Sequence, residues 1–158
     1  MDFILMRRFA FLPALFLVSG CGDVGEPASV RFAEPQDGAR VTGPDVQVVL
    51  EASGVEITSA DIHEEGTGHH HIFVDEDVTP LSDTIPSGVS GIYHYGRGQT
   101  EMELRDLEPG EHRLIAVVAN WAHIPLDPPV MDTVFFTVEA REDEEAGEGG
   151  AAGDGSSG

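Results

Sequence analysis

The chain has 158 residues, a formal net charge of −21 and a single cysteine. That length holds one domain plus appendages. The acidity excludes a nucleic-acid partner, which needs a surplus of Lys and Arg, and a lone thiol excludes an internal disulfide.

Arg7-Arg8 precede an apolar run from Phe9 to Val18, too short to span a bilayer and right for a signal-peptide core. The run ends in Leu17-Val18-Ser19-Gly20-Cys21, which is similar to the bacterial lipobox, where the cysteine is acylated on sulfur and nitrogen. We expect residues 1–20 to be a lipoprotein signal peptide and 21–29 a lipidated tether to the membrane. Each buried methylene of an acyl chain adds ~0.8 kcal/mol, so several chains hold a protein on a bilayer. Gly22 stands where an aspartate would signal inner-membrane retention, so the outer membrane is the expected address within the cell envelope. The acidity then reads as solubility in the envelope, with weak cation capture as the functional alternative. At the far end, residues 140–158 run acidic and then Gly-, Ala- and Ser-rich. With no large apolar residue to offset its ordering entropy, this tail is expected to be disordered.

Between these ends the apolar residues recur every second position. Val30 and Phe32 mark a first strand, closed by Pro35-Gln36-Asp37-Gly38, a turn sequence. Val46, Val48, Leu50 and Ala52 alternate across 46–52, the mark of a strand with one buried face. Further strands are predicted over 69–74, 92–95, 99–104, 112–119 and 133–138. No stretch carries a capped helical period. About seven short strands with turns between them indicate an all-β immunoglobulin/fibronectin type III-like antiparallel sandwich, spanning 30–139.

The chemistry concentrates in Gly66-Thr67-Gly68-His69-His70-His71-Ile72-Phe73-Val74-Asp75. On a strand, side chains alternate, so His69 and His71 share one face while His70 joins Ile72 and Val74 facing the core. In the expected sandwich the connections after the second, fourth and sixth strands gather at one end. His69, His71, His94 and His123 should meet there, with His63, Asp75, Asp127 and Met131 as further possible ligands. Imidazole without thiolate suits zinc or copper. Trp121, Tyr93 and Tyr95 at the same end offer a binding surface for an envelope protein or glycan. His112 falls at the opposite end and reads as structural, and Met102 reads as core. The alternative to a metal site is a set of histidines that only shape the loops.

Several blocks follow one another in order: Gly66-Thr67-Gly68-His69-His70-His71, Ile85-Pro86, His94-Tyr95-Gly96-Arg97-Gly98-Gln99-Thr100-Glu101, Leu107-x-Pro109-Gly110-x-His112, and His123-Ile124-Pro125-Leu126-Asp127-Pro128-Pro129-Val130-Met131. In this succession the chain resembles a bacterial domain-of-unknown-function family, number 4399. The resemblance implies an envelope-associated domain to which the loop-end histidines belong, and it supplies no activity. The family often carries a second histidine three residues after the one matching His123, where this chain has Leu126.

No nucleophile motif, phosphate-cradling glycine loop or recognisable pair of carboxylates appears. The expected function is therefore non-catalytic: a lipid-anchored envelope protein whose histidine cluster binds zinc or copper, or else an adhesion or assembly module.

Overall fold

Period-two alternation yields strands, and the computed structural model, which describes residues 26–141, contains nine of them and no helix among those residues. They are β1 (Ser29–Glu34), β2 (Ala39–Thr42), β3 (Val46–Ser53), β4 (Glu56–Ile57), β5 (Thr67–Val74), β6 (Ile92–Tyr95), β7 (Glu101–Leu104), β8 (Gly110–Ala119) and β9 (Met131–Glu139). One sheet has the order β1-β3-β7, and the other runs β2-β9-β8-β5-β4 with β6 also paired to β5. Pairing is antiparallel except for β2 with β9 and β4 with β5. This is the two-sheet architecture of an immunoglobulin/fibronectin type III-like sandwich. The predicted signal peptide with Cys21, and the tail from 142 onward, lie outside the described residues.

The inner faces meet in one cluster to which every long strand contributes alternate residues. Val46, Val48 and Leu50 of β3 pack with Leu114, Ala116 and Val118 of β8 and with Val134, Phe136 and Val138 of β9. Fully burying each of the larger aliphatic or aromatic side chains stabilises the fold by about 1.5–3 kcal/mol. His70, Ile72 and Val74 of β5 face this way too, as alternation predicts, and His70 is fully buried.

The outer face of the six-stranded sheet is also covered around β5. Phe73 of β5, Ile115, Val117 and Ala119 of β8, and Ile85 from the β5–β6 connection form a second apolar cluster, with Val78 and Ile92 against it. Hence all eight residues of β5 are buried, which a half-solvated strand never achieves.

Two departures from the sequence expectation bear on the site. The strand at 92–95 does not join the sheet of β7, where the fourth strand of an immunoglobulin-type sandwich belongs. It pairs with β5 instead, with Ile92 opposite Phe73 and His94 opposite His71, because Ile92 is drawn into the second apolar cluster. The strands β2 and β4 were not expected, being only four and two residues long.

Candidate metal centre

The site is built on the outer face of β5. His69 and His71 stand two residues apart on one strand, so both rings project from the same face, and each is 1 % exposed. The antiparallel register sets His94 of β6 directly beside His71. Gly96 makes room for its ring, since a Cβ there would collide with Cε1 and Nε2 of His94. Gly68 similarly allows β8 to close on β5, because a Cβ there would lie 2.7 Å from Cγ1 of Val118.

His123 arrives from the β8–β9 loop with a left-handed backbone, φ 61°. The loop is pinned from within: the Asn120 side-chain oxygen accepts hydrogen bonds from the amides of Ala122 (2.9 Å) and Ile124 (3.2 Å). It is also pinned from outside, where the amide of the buried Ile85 donates to the His123 carbonyl at 2.8 Å.

The result is that one ring nitrogen from each of His69, His71, His94 and His123 lies within 4.8 Å of every other. The Nε2 atoms of His69 and His71 are 3.0 Å apart, close enough for one to donate to the other. Burial, then the neighbouring histidines, lowers the pKa of His69 to about 4 and that of His71 to about 3. Burial, then His123, lowers that of His94. Neutral imidazoles at neutral pH leave nitrogen lone pairs for a cation.

The residues present fit a transition metal. Zinc–imidazole bonds of about 2.0–2.1 Å in a tetrahedron place nitrogens about 3.3–3.4 Å apart, a spacing that falls between the 3.0 Å of the His69–His71 pair and the 4.8 Å limit of the group. The Nδ1 atoms of His69 and His71 are buried without hydrogen-bond partners. Among the described residues, no carboxylate joins the group. Borderline and softer ions such as zinc and copper suit such an all-nitrogen set better than calcium or magnesium, which take oxygen.

The further possible ligands lie elsewhere. Asp75 is four residues beyond His71, which along a strand is about 13 Å. There its carboxylate binds Nδ1 of His112 (2.7 Å) and the Arg113 amide (2.8 Å). Met131 shares a face with His71, but Val117 intervenes in the row, putting its strand about 10 Å away. Asp127 is exposed on the β8–β9 loop. His63 stacks on Trp121, with ring centroids 4.3 Å apart.

The expected aromatic surface is divided. Tyr93 and Tyr95 alternate with His94 and so occupy the opposite face of β6, where their rings stack 6.5 Å apart. Trp121 is 50 % exposed beside His63. His112, at the other end of the sandwich, is held at both ring nitrogens: Nδ1 by Asp75 and Nε2 by the Glu108 carbonyl at 2.7 Å. Sequence reasoning missed the part played by Gly96 and Ile85. Gly96, in the turn that follows β6 and two residues beyond His94, was a signal that could have been read.

No curated protein matches the chain. Similar solved structures include the fibronectin(III)-like modules of Clostridium thermocellum CbhA, 14 % identical, covering 70 % of this chain and 96 % of that one at a TM-score of 0.41. Another is the PKD domain of human KIAA0319, 13 % identical, covering 85 % and 96 % respectively, also at 0.41. Residues 48–139 match the family described as Domain of unknown function (DUF4399), and the chain belongs to that family.

Proposed function

We propose that this protein is a non-catalytic envelope lipoprotein that binds a transition metal, zinc or copper, through His69, His71, His94 and His123. The convergence of four imidazole nitrogens within 4.8 Å carries the reading. The ligand set comes from a central strand, its neighbour and an anchored loop, so the protein holds it largely preformed. Four protein ligands suit storage, buffering or a structural ion more than hydrolysis, which keeps a position open for water. Calorimetric titration of the tag-free chain with Zn²⁺ and Cu²⁺ tests it: saturable binding tighter than about micromolar is expected, and its absence with both ions would overturn the reading.

The anchor belongs to the same proposal. The lipobox-like segment ending at Cys21 supports acylation and an outer-membrane location. Incorporation of a labelled fatty acid, lost in Cys21→Ala together with membrane fractionation, is the expected outcome.

One observation favours a second reading, an adhesion or assembly module. Trp121 presents half its surface to solvent on a ring stacked against His63, as an interface anchor does. Under that reading, retention of an envelope protein or glycan survives chelation and His69→Asn/His71→Asn but falls with Trp121→Ala.

A further inference from the structure

His94 has two sides. One helps to form the histidine group, and the other forms a wall of a polar cleft of about 520 Å³ bordered by Ser59, Asp61, Gly96, Arg97 and Gln99. We propose that this cleft binds a small carboxylate, which bridges the Arg97 guanidinium and the His94 ring N–H turned away from the metal. The inference rests on the metal reading above, because the ion fixes which His94 nitrogen is left to donate.

Charge is the first argument. Among the described residues, Arg31, Arg40, Arg105 and Arg113 each pair with a carboxylate, whereas Arg97 and Arg141 pair with none of the described carboxylates, and of these two only Arg97 borders the cleft. An arginine that pairs with none of the described carboxylates is available to an external one, and its planar fork suits bidentate binding.

Rigidity is the second. The turn carrying Arg97 is fastened on several sides. Its amide donates to Oε1 of Gln99 at 2.7 Å, while the Gln99 carbonyl accepts from Nδ1 of the buried His70 at 2.9 Å. The Gly96 carbonyl accepts from the Ala60 amide at 3.1 Å and from the Ser59 hydroxyl at 3.3 Å. Ser59 and Arg97 are bridged in antiparallel fashion. Gly98, at φ 74°, packs so tightly that a Cβ would lie 3.2 Å from the Thr58 carbonyl carbon. His70, which takes no part in the histidine group, thus acts as a positioning residue for the cleft.

The third argument is that His94 lacks something. Neither of its ring nitrogens hydrogen-bonds to another described residue, although metal-bound histidines ordinarily donate their free N–H to a carboxylate or carbonyl. A carboxylate in the cleft supplies that acceptor. Metal and carboxylate then favour each other reciprocally.

The test uses the full chain, zinc-loaded and ¹⁵N-labelled, titrated with sodium formate against sodium chloride as the ionic control. Formate is expected to shift the Arg97 Nε–H resonance saturably in the millimolar range and to tighten zinc binding by up to about tenfold. In Arg97→Gln both effects should vanish while zinc still binds. Asp61→Asn, which removes the negative charge facing the cleft, should tighten formate binding. Zinc binding with no formate-specific shift at Arg97, or with the same formate effect in Arg97→Gln, would overturn this inference and leave the metal reading intact. Failure of zinc and copper to bind at all would overturn both.

Discussion

The two ends of this sandwich treat histidine in opposite ways. At one end, His69 and His71 are buried among other imidazoles, their Nδ1 atoms have no partner, and burial holds them neutral. At the other, both nitrogens of His112 are engaged, one by a carboxylate and one by a carbonyl. Burial alone lowers the His112 pKa, but the hydrogen bonds to Glu108 and Asp75 and the charge of Asp75 outweigh it and hold it above the ordinary value. A ring that donates from both nitrogens is an imidazolium with a purely internal role. Rings that leave nitrogens unanswered are the ones with chemistry to spare.

Metal gives the sharpest break between the two ends. Zinc at a thousandfold excess over its dissociation constant should stabilise the wild-type chain by about 4 kcal/mol, read as a raised thermal midpoint. In His69→Asn/His71→Asn that gain should disappear, whereas His112→Asn should keep it. Retention of the full gain in the double variant would erase the contrast.

The next effect belongs to the other end. Asp75→Ala removes the acceptor for both the His112 ring and the Arg113 amide. Partial exposure of the pair limits the cost to about 1–2 kcal/mol in urea unfolding, with zinc affinity unchanged.

Acid should separate the ends by sign. The folded pKa values of His69 and His71, about 4 and about 3, lie below the ordinary 6.5. The unfolded chain therefore binds more protons below 6.5, and metal-free stability falls as the pH drops from there toward those values. His112 works the other way: its contribution is fully present below the ordinary value and is lost as the pH rises through its raised folded value. Urea midpoints of the metal-free chain across the pH range should show His112→Asn flattening the decline above the ordinary value while leaving the slope of the acid limb unchanged.

A smaller effect is expected from Gly96→Ala. The added methyl group meets the His94 ring and should weaken metal affinity by about tenfold while leaving the His112 end untouched. Calorimetry on that variant compares directly with wild type.

The sandwich was readable because its inner faces obey period two across β3, β7, β8 and β9. The grouping of the four histidines followed from alternation along 69–71 and from which loops share an end. What misled was the treatment of an end as a point. Asp75 follows the histidine run closely in sequence but lies past the far end of β5 from it, a distance that strand rise alone foretells. Met131 is displaced sideways by a whole strand. The placement of β6 was hidden because its four residues carry no label for either sheet. Ile92 finds its partner only in a second apolar cluster formed by a connecting segment, and no local pattern announces that cluster. The same cluster explains why His69 and His71 are roofed over instead of lying open at a loop tip.

Consider finally what the β5 pair means for a chain with a single cysteine and hence no internal disulfide. His69 and His71 are neighbours before any folding occurs, so they can chelate an ion without closing a loop. His94 and His123 join only when β6 and the β8–β9 loop dock. With the ion in place, each of those docking steps becomes a ring closure of the kind that disulfides provide in secreted sandwiches. On the proposed metal reading, the ion would be a reversible cross-link, made without oxidation and undone by a chelator, set between the middle of the sheet and the segments that cover it.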